Sequence, residues 1–397
     1  MVQQHRKDYL CLHDGTHLAP KCILCGKCLE VCPLVAATGR EELSPRAKFH
    51  LAERAAEADG GLDEKKAARL AAMCLACGRC EKACPQGLCG PELAAGLRAK
   101  HPGWREWLWR QWLTRPGALW PTAGALARLV PGGLAPDTLR AALGQLAALH
   151  GGRAIQPWLA VARYDACGSG KKAVLFEGCT ARYAKPHWSE TARQIVTGLG
   201  YELVPDARFE CCGCSLGHAG LEDAQRAMQR TNVDAWRKAG RPQVIAFCAT
   251  CRCGLRSYAH IDLGWETFER EEWLRAVVPL AGLMGDTEFQ ILDNAPDAVH
   301  YHRPCHGSGG DQDRQFLSRA MGGRLKKAGL ERCCGFGGVM QLADPGLSRA
   351  VAARCWEFFE AGPGEQLVTG CSACVLQLSA SAPEGVAVGH WLEALRP

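Results

Sequence analysis

Residues 22–33 read CILCGKCLEVCP, and residues 74–85 read CLACGRCEKACP. Each run has the pattern C-x2-C-x2-C-x3-C-P, with a glycine after the second cysteine. A single C-x2-C pair would fit a zinc site or a disulfide as well as an iron site. Two complete four-cysteine runs that both end in proline instead favour cubane [4Fe–4S] clusters, because such short loops let several thiolates converge on one metal core.

The two runs resemble those of two-cluster ferredoxins, in which the fourth cysteine of each run binds the neighbouring cluster. This resemblance implies two cubane [4Fe–4S] clusters. Their implied ligands are Cys22, Cys25, Cys28 and Cys84 for one cluster, and Cys74, Cys77, Cys80 and Cys32 for the other. Gly26 and Gly78 allow the backbone to approach a cluster closely and to donate N–H groups to its sulfur atoms.

The 41 residues from Pro33 to Met73 are rich in helix-forming residues, unlike the short connection of a compact β-rich ferredoxin. They contain PRAKFHLAERAAEA (45–58) and LDEKKAARLAAM (62–73). Ser44 and Pro45 fit a helix cap followed by proline at the first helical position. We therefore predict an α-helical ferredoxin module over residues 1–100.

Four landmark cysteine positions recur in the second half of the chain. The first series runs from AVLFEGC (173–179) through Cys211-Cys212-Gly213 to Cys251, and the second from AVHYHRPC (298–305) through Cys333-Cys334-Gly335 to Cys374. Equivalent cysteines are 126, 122, 123 and 123 residues apart, at 179 and 305, 211 and 333, 248 and 371, and 251 and 374. Such regular offsets predict a duplicated unit.

Short apolar strands alternate with helix-like segments in both units, which predicts βαβ connections and α/β layers. Each landmark cysteine lies where a strand ends or a helix begins, and open α/β sheets bind their ligands there. Helix N-termini also offer unpaired N–H groups to an anionic cluster and hold cysteines more easily as thiolates. We therefore expect five thiolates per repeat to meet in one electropositive crevice.

The spacings C-x31-CCG-x34-C-x2-C and C-x27-CCG-x35-C-x2-C resemble the CCG domains of heterodisulfide reductase subunits B and D. Over about residues 20–395 the chain also resembles the iron–sulfur subunits of anaerobic glycerol-3-phosphate dehydrogenase and of glycolate and lactate oxidation systems. In heterodisulfide reductases a CCG motif holds a noncubane [4Fe–4S] cluster through five cysteines. The resemblance implies two such clusters here, at CCG site 1 (Cys179, Cys211, Cys212, Cys248 and Cys251) and CCG site 2 (Cys305, Cys333, Cys334, Cys371 and Cys374).

The expected fold class is α+α/β, with an N-terminal α-helical two-cluster ferredoxin module followed by two duplicated α/β CCG domains. The expected boundaries are 1–100 for the ferredoxin, 101–169 for a helical, Trp-rich linker, 170–290 for CCG domain 1 and 291–397 for CCG domain 2. Many dehydrogenase subunits of this group lack some cysteines in one repeat, whereas both sets of five are complete here. The short 27-residue spacing in the second repeat leaves the type of cluster at CCG site 2 open.

Composition limits the compartment and the partners. The 397-residue chain has 24 cysteines, and its first residues, MVQQHRKDYLCLHDG, lack the apolar stretch of a signal peptide. Because a reducing cytosol keeps thiols available to metals, we expect a cytoplasmic protein, with peripheral attachment to the inner face of the cell membrane left open. The sequence has no run of 18 apolar residues, so we expect no transmembrane helix. The formal charge of +6 would fall to about +2 with two cubane clusters of about 2− each, so we expect no nucleic-acid partner.

Six cysteines fall outside the predicted sets. We expect Cys11, Cys89, Cys167 and Cys355 to be small buried hydrophobic residues. Cys214 and Cys253 lie two residues from predicted ligands, so a supporting or alternative ligand role stays open for them.

Polar residues also flank the predicted ligands of the two CCG sites. Tyr301, His302, Arg303 and His306 surround Cys305, and Arg182 and Tyr183 follow Cys179. A histidine there would tune a cluster or relay protons, or it would merely cap a helix. The arginines predict somewhat basic walls around both sites.

Residues 104–120, WREWLWRQWLTRPGALW, hold five of the 12 tryptophans. Helical spacing puts Trp104, Trp107, Leu108 and Trp112 on one face. This composition fits packing against protein, which we favour, and it also fits a membrane surface. Residues 131–169 are expected to form a linker with one helix at 138–150.

The favoured function is that of an oxidoreductase subunit: an iron–sulfur electron-transfer subunit of a flavin-linked dehydrogenase of the lactate, glycolate or glycerol 3-phosphate type. Because no G-x-G-x-x-G motif follows a predicted strand, FAD would lie on a separate dehydrogenase or reductase subunit. Electrons would pass on toward a quinone, through a membrane-linked subunit, or toward another carrier. The alternative is a disulfide or heterodisulfide reductase that uses noncubane clusters, and the third hypothesis is a redox sensor or scaffold. No residue is assigned a catalytic role.

Overall fold

The computed structural model describes residues 22–56, 63–129, 137–150, 152–205, 208–307, 310–326 and 332–397. Cys11 therefore lies outside the described residues. Within these ranges helices combine with small, mostly parallel sheets, which confirms the predicted fold class. None of the helices in this part of the chain is long and apolar enough to cross a membrane.

The N-terminal part is helical, as predicted. Its helices are α1 (Lys27–Val31), α2 (Pro33–Thr38), α3 (Pro45–Ala56), α4 (Glu64–Ala71), α5 (Arg79–Ala83) and α6 (Gly90–Lys100). The predicted cap is confirmed, because α3 begins at Pro45 and the Ser44 hydroxyl accepts a hydrogen bond from the Ala47 N–H at 3.1 Å. The Asp63 carboxylate caps α4 in the same way, by accepting from the Lys66 N–H at 3.1 Å.

The Trp-rich region is also helical and contains α7 (Trp104–Thr114), α8 (Pro116–Leu129) and α9 (Asp137–His150). The predicted helix at 138–150 is therefore confirmed. Trp104 and Trp107 are 64% and 62% exposed. Trp112 is half-buried, because α8 folds back and its Trp120 ring stacks on Trp112 with centroids 5.5 Å apart.

The α/β part contains short strands between helices. The strands are β1 (Leu159–Arg163), β2 (Lys172–Phe176), β3 (Glu202–Leu203), β4 (Gln243–Ala246), β5 (Val277–Pro279), β6 (Glu288–Ile291), β7 (Val299–His302), β8 (Gln366–Thr369), β9 (Ala387–His390) and β10 (Leu395–Arg396). The helices are α10 (Gly178–Tyr183), α11 (Pro186–Gly198), α12 (Cys214–His218), α13 (Glu222–Lys238), α14 (Ala249–Ser257), α15 (Glu269–Ala276), α16 (Leu280–Leu283), α17 (Gln312–Met321), α18 (Met340–Ala343), α19 (Pro345–Phe359) and α20 (Ser372–Ser379).

Each repeat forms its own parallel sheet. The first has the order β3–β2–β4–β5, with Val174 beside Val244, and the second has the order β7–β8–β9, with Tyr301 beside Val368. The central strands are buried on both sides, which explains their continuous apolar sequences. All strands in each of these sheets point the same way. The cysteines that follow β2 and β4 therefore gather at the carboxyl end of the first sheet, and those that follow β7 and β8 gather at the carboxyl end of the second.

A third sheet, in the order β10–β1–β6, was not predicted. Leu159 of β1 lies beside Leu395 of β10 in a parallel pair and beside Ile291 of β6 in an antiparallel pair. The linker prediction is therefore wrong for residues 159–163. The reason is that this five-residue segment becomes a strand through partners more than 120 residues away, which no local pattern reveals.

One hydrophobic core runs through both repeats. It includes five completely buried tryptophans, namely Trp158, Trp188, Trp236, Trp273 and Trp391. A core shared by the two sheets fixes their relative positions and so fixes the distance between the two cysteine-bearing edges.

Candidate iron–sulfur sites

The eight cysteines of the two runs line two adjoining cavities. One cavity is lined by Cys22, Cys25, Cys28, Cys80 and Cys84, and the other by Cys32, Cys74, Cys77 and Cys80. Cys84 thus faces the first run and Cys32 faces the second, which agrees with the crossed grouping implied by the resemblance to two-cluster ferredoxins. Cys80 reaches the walls of both cavities. The assignment of individual ligands stays a prediction.

The two cysteine loops share one backbone conformation. Leu24 and Gly26 have φ angles of 55° and 80°, and Ala76 and Gly78 have φ angles of 52° and 68°. Residues in the left-handed region curl a loop so that N–H groups point to its inside, which favours an anion. Leu24 and Ala76 hold this conformation with a Cβ, at a cost in strain. Sequence patterns revealed the two glycines but not these two residues.

The two cavities differ in exposure. Cys25 is exposed, and the neighbouring Ile23 is 58% exposed, whereas Cys77 and Cys80 are buried. Burial raises the pKa of the Cys77 thiol to about 11, and it raises the pKa of Cys80 as well. Such thiols stay protonated at neutral pH unless a metal replaces the proton, since coordination deprotonates a thiol outright. The donors of this inner cavity therefore fit a metal cluster.

The cysteines of CCG site 1 lie at the carboxyl edge of the first parallel sheet. Cys179 lies at the start of α10, Cys211 and Cys212 precede α12, and Cys248 and Cys251 are the cap and the first turn of α14. Their thiols form a hydrogen-bonded chain in the order Cys179, Cys211, Cys212, Cys251, Cys248. These bonds lower the pKa of Cys211 and Cys248 and, together with burial, raise the pKa of the other three.

CCG site 2 repeats this arrangement at the edge of the second sheet. Cys305 follows β7, Cys333 and Cys334 precede Gly335, and Cys371 and Cys374 are the cap and the first turn of α20. Four of the thiols form a hydrogen-bonded chain in the order Cys333, Cys334, Cys374, Cys371. Burial raises the pKa of Cys305, and its nearness to Cys77 of the ferredoxin loop raises it further.

The two CCG sites join directly through Cys248 and Cys371, whose thiols are hydrogen-bonded to each other. Ser372, in the second repeat, donates to the Cys248 sulfur from its backbone N–H at 3.5 Å and from its hydroxyl at 3.4 Å. In return, the Thr250 hydroxyl of the first repeat lies 3.2 Å from the Cys371 sulfur. Contacts therefore cross between the repeats in both directions.

Several glycines leave room beside the sulfur atoms. A Cβ at Gly178 would lie 2.8 Å from the Cys251 sulfur, and one at Gly90 would lie 3.0 Å from the Cys80 sulfur. A Cβ at Gly254 would lie 3.2 Å from the Cys212 sulfur. The chain thus keeps space around buried thiolate donors where a side chain would block a metal, and the residues present fit iron–sulfur clusters.

His306 links the ferredoxin module to both repeats. Its Nε2 donates to the Ala76 carbonyl oxygen at 3.1 Å, and its Nδ1 lies 2.9 Å from the Thr250 hydroxyl. Ala76 precedes Cys77, and Thr250 contacts Cys371. In addition, Cys77 shares a hydrophobic cluster with Cys333. The inner cavity of the ferredoxin module is therefore next to CCG site 2.

The arginines near Cys179 and Cys305 in the sequence do not make their sites basic by themselves. Arg182 lies 3.6 Å from the Glu177 carboxylate, and Arg303 lies 3.3 Å from the Asp311 carboxylate. A basic cavity of about 690 Å³ lies between α1, α5 and α19. Four cations and two carboxylates line it together with Cys333, namely Arg79, Lys82, Arg332, Arg354, Glu30 and Glu357.

The cysteines outside the predicted sets fall into two groups. Cys355 is buried and Cys167 is half-buried, and the Cys167 thiol donates to the Leu283 carbonyl oxygen at 3.4 Å. Cys89 is buried too, but it is disulfide-bonded instead of being a free thiol. Cys214 and Cys253 are buried beside CCG site 1, where burial and the nearness of Cys253 raise the pKa of Cys214. A ligand role for these two cysteines is not tested by these contacts.

Sequence reasoning missed the hydroxyl residues inside the C-x2-C pairs. These pairs read CATC at 248–251 and CSAC at 371–374, so each contains one hydroxyl side chain. Thr250 and Ser372 each contact the landmark cysteine of the other repeat. The shared presence of a hydroxyl was visible in the sequence, but its partner was not, because the contact is between repeats.

Comparison with known proteins agrees with this architecture. Residues 19–88 match the "4Fe-4S dicluster domain" family, and residues 173–256 and 299–379 match the "Cysteine-rich domain" (CCG) family. The chain is 23% identical to "Probable glycolate oxidase iron-sulfur subunit" of Bacillus subtilis, over 90% of this chain and 87% of that protein.

Two further relatives represent other systems. A subunit of "Dihydromethanophenazine:CoB--CoM heterodisulfide reductase" from Methanosarcina barkeri is 23% identical, over 90% of this chain and 88% of the relative. "Lactate utilization protein A" of Oceanobacillus iheyensis is 24% identical, over 52% of this chain and 88% of the relative.

Two adjoining cavities lined by the cysteines of the two runs, followed by two sets of five cysteines at the sheet ends, define an iron–sulfur protein of the oxidoreductase class. The chain belongs to the family of CCG-domain iron–sulfur subunits, in which a 4Fe-4S dicluster domain precedes two cysteine-rich domains. It is an iron–sulfur electron-transfer subunit, related both to the glycolate and lactate proteins and to the heterodisulfide reductase protein.

Proposed function

We propose that this chain carries electrons from a flavin-containing partner subunit, through two cubane clusters and then two CCG clusters, toward a quinone or another carrier. The observation that carries this proposal is the unbroken succession of cysteine sites. The exposed cavity around Cys25 adjoins the buried cavity around Cys77, which adjoins CCG site 2, which contacts CCG site 1. Iron–sulfur clusters at these sites would accept and release single electrons.

The residues of this chain would determine where electrons enter and would keep water away from the inner sites. The outer cubane site, with its exposed Cys25 and Ile23, is the surface at which a donor would approach. Buried thiolates and apolar neighbours exclude water from the inner sites, and the His306 bridge holds the Ala76 loop against Thr250. The proposed ligands are the 18 cysteines named for the two ferredoxin runs and the two CCG sites.

The domain limits remain part of this proposal. We place the ferredoxin module at 1–100, the Trp-rich connection at 101–169 and the CCG domains at 170–290 and 291–397. The limit at 290/291 falls within β6, which pairs with β1 of the Trp-rich connection, and both CCG domains share one hydrophobic core.

The proposed partner is an FAD-containing dehydrogenase that oxidises a small hydroxy acid or glycerol 3-phosphate. The support is the names of two relatives. The relative that aligns with 90% of this chain is named as a glycolate oxidase subunit, and the one that aligns with 52% is named as a lactate utilization protein. Copurification from the native host, followed by flavin analysis of each subunit, tests this division of labour. Flavin bound stoichiometrically to this chain itself would contradict it.

The cluster inventory is tested by counting iron and acid-labile sulfide in anaerobically purified protein. Two cubane and two noncubane clusters predict about 16 irons per chain, whereas about 8 would mean that the CCG sites are empty. Counting iron in Cys77→Ser and Cys334→Ser shows whether the ferredoxin module or the CCG domains lose iron. A count near 8 that does not change in the Cys334 variant would contradict the role proposed for CCG site 2.

A second candidate function, reduction of a disulfide or heterodisulfide at the CCG sites, has a specific observation in its favour. The basic cavity reaches Cys333, so an anionic thiol or disulfide would have both charge complementarity and access to CCG site 2. The relative from Methanosarcina barkeri bears the name of a heterodisulfide reductase subunit. Reduced viologen with a panel of disulfides distinguishes the two functions, because the electron-carrier proposal predicts no turnover.

We also propose a cytoplasmic location with peripheral contact at the inner face of the cell membrane. Trp104, Trp107 and Leu108 form an exposed apolar patch on α7, and the exposed Arg110 lies beside it. Aromatic and basic side chains together suit a membrane interface. Cosedimentation with vesicles that contain anionic lipid tests this contact, and equal sedimentation of a Trp104→Ser, Trp107→Ser variant would contradict it.

A further inference from the structure

His302 brings an imidazole ring into CCG site 2. It is the last residue of β7, and one ring nitrogen lies within 4.8 Å of the sulfur atoms of both Cys334 and Cys374, which are themselves within this distance of each other. All three side chains are buried. Nitrogen and sulfur donors in such proximity form the donor set that soft and borderline metals prefer.

The hydrogen bonds of His302 fix which of its two nitrogens carries the proton. Its Nε2 lies 2.9 Å from the backbone oxygen of Arg332, and because a carbonyl oxygen only accepts, Nε2 must carry the proton. The neutral ring then has a lone pair on Nδ1. The Thr369 hydroxyl lies 3.3 Å from this atom, a long contact that a metal can replace. Histidines that bind metals typically donate their other N–H to a carbonyl oxygen in this way.

The first repeat lacks this nitrogen. The offset of 126 residues between Cys179 and Cys305 places Phe176 at the position equivalent to His302. Phe176 is the last residue of β2, and its ring packs on Phe209 with centroids 5.5 Å apart. The two CCG sites therefore differ at this position, although their sets of five cysteines are the same.

We propose that His302 is a metal ligand in CCG site 2. This inference rests on the proposed function, in which CCG site 2 holds an iron–sulfur cluster. The second site then binds its cluster through thiolates and one imidazole nitrogen, whereas CCG site 1 uses thiolates alone. The duplicated sites are thus chemically distinct.

The test is pulsed EPR on holoprotein that carries 15N only in histidine, with its clusters in a paramagnetic state. A directly bound imidazole nitrogen gives a strong hyperfine coupling, and a merely neighbouring ring does not. We expect the coupling in the wild type, its loss in His302→Phe, and its retention in His300→Gln. His300 is the matched control, because it is a buried histidine of the same strand whose Nε2 lies 2.9 Å from the Glu365 carboxylate.

The outcomes separate this inference from the proposed function. An iron-loaded CCG site 2 whose paramagnetic signal shows no strong histidine coupling in the wild type overturns the ligand role but leaves the cluster in place. An iron content that does not change in Cys334→Ser would mean that CCG site 2 holds no cluster, and both proposals would fall. If His302→Phe does not accumulate as folded protein, the wild-type measurement with the His300→Gln control still decides.

Discussion

At the scale of single residues, hydroxyl groups of one repeat contact cysteine sulfurs of the other and so affect how well each sulfur holds negative charge. Ser372 gives two hydrogen bonds to Cys248, and its hydroxyl bond disappears in Ser372→Ala. A hydrogen bond to a cluster thiolate stabilises the reduced, more anionic state. One bond of about 1 kcal/mol corresponds to about 40 mV for a one-electron couple, so we expect the potential of CCG site 1 to fall by about this amount.

Potentiometric EPR titration measures this change. Ser379→Ala is the matched control on the same helix, because the Ser379 hydroxyl donates to the Val388 carbonyl oxygen at 3.4 Å instead of to a cysteine. Equal potentials in Ser372→Ala and in the control would show that the hydroxyl does not act on the cluster.

Glu269 is a second residue whose role can be measured. Its buried carboxylate accepts from Arg237 Nε at 2.8 Å and Nη2 at 2.7 Å, and from the Glu266 N–H at 2.9 Å. The hydrogen bonds from Arg237 lower the pKa of Glu269 to about 2, although burial opposes this shift. Glu269→Gln removes one partner of a buried ion pair, so we expect a loss of about 2 kcal/mol in the free energy of unfolding at pH 7.

The pH dependence of this loss follows from the direction of the pKa shift. A carboxylate whose folded pKa is lowered stabilises the fold above its unfolded pKa of about 4.3, and this contribution disappears as the pH falls toward 2. Thermal unfolding followed by circular dichroism from pH 7 to pH 3 should therefore show the wild type and Glu269→Gln converging. The control is Glu272→Gln, whose 40% exposed carboxylate pairs with Arg241 and should matter by less than about 1 kcal/mol. Parallel curves at all pH values would contradict the assignment.

At the scale of elements, the turn between β2 and α10 decides whether CCG site 1 can take a cluster. Gly178 combines a φ of 74° with a Cβ position 2.8 Å from the Cys251 sulfur. We expect Gly178→Ala to lose about 4 irons per chain while far-UV circular dichroism stays unchanged. Gly170→Ala is the matched control, since Gly170 has the same φ of 74° with nothing within 4 Å. A normal iron content in Gly178→Ala would show that the site tolerates the added carbon.

The same scale shows how far the sequence predicts the structure. Local signals predicted α3 from Ser44 and Pro45, and the strands before Cys179 and Cys305 from their apolar runs. They did not predict β1, because its partners β6 and β10 lie far along the chain. Likewise, the regular spacing predicted which cysteines belong to each repeat, but it did not predict that Cys248 and Cys371 touch. His302 was noticed for its position, and its nearness to Cys334 and Cys374 required the folded chain.

At the scale of the whole molecule, His306 joins three parts that folded from separate segments. Its ring connects the Ala76 loop of the ferredoxin to Thr250 of the first repeat, although it belongs to the second. In His306→Leu we expect slower reduction of the CCG clusters by the reduced cubanes, while reduction of the cubanes themselves stays fast. The reason is that both hydrogen bonds are lost at the contact between the modules.

Rapid-mixing absorption and freeze-quench EPR separate these two steps. His306→Gln is the matched variant, because its amide offers both a donor for the Ala76 oxygen and an acceptor for the Thr250 hydroxyl. Equal rates in all three proteins would show that electrons cross between the modules without this bridge.

The exposure of Cys25 beside the burial of Cys77 has a consequence for handling the protein in air. Oxidants reach sulfur in proportion to its access, so damage should begin at the outer cubane and proceed inward. A sample briefly aerated would then retain its inner clusters and yet accept no electrons from its donor. Loss of activity would precede loss of most of the iron. The sample would keep most of its colour although electrons could no longer enter at the outer cluster.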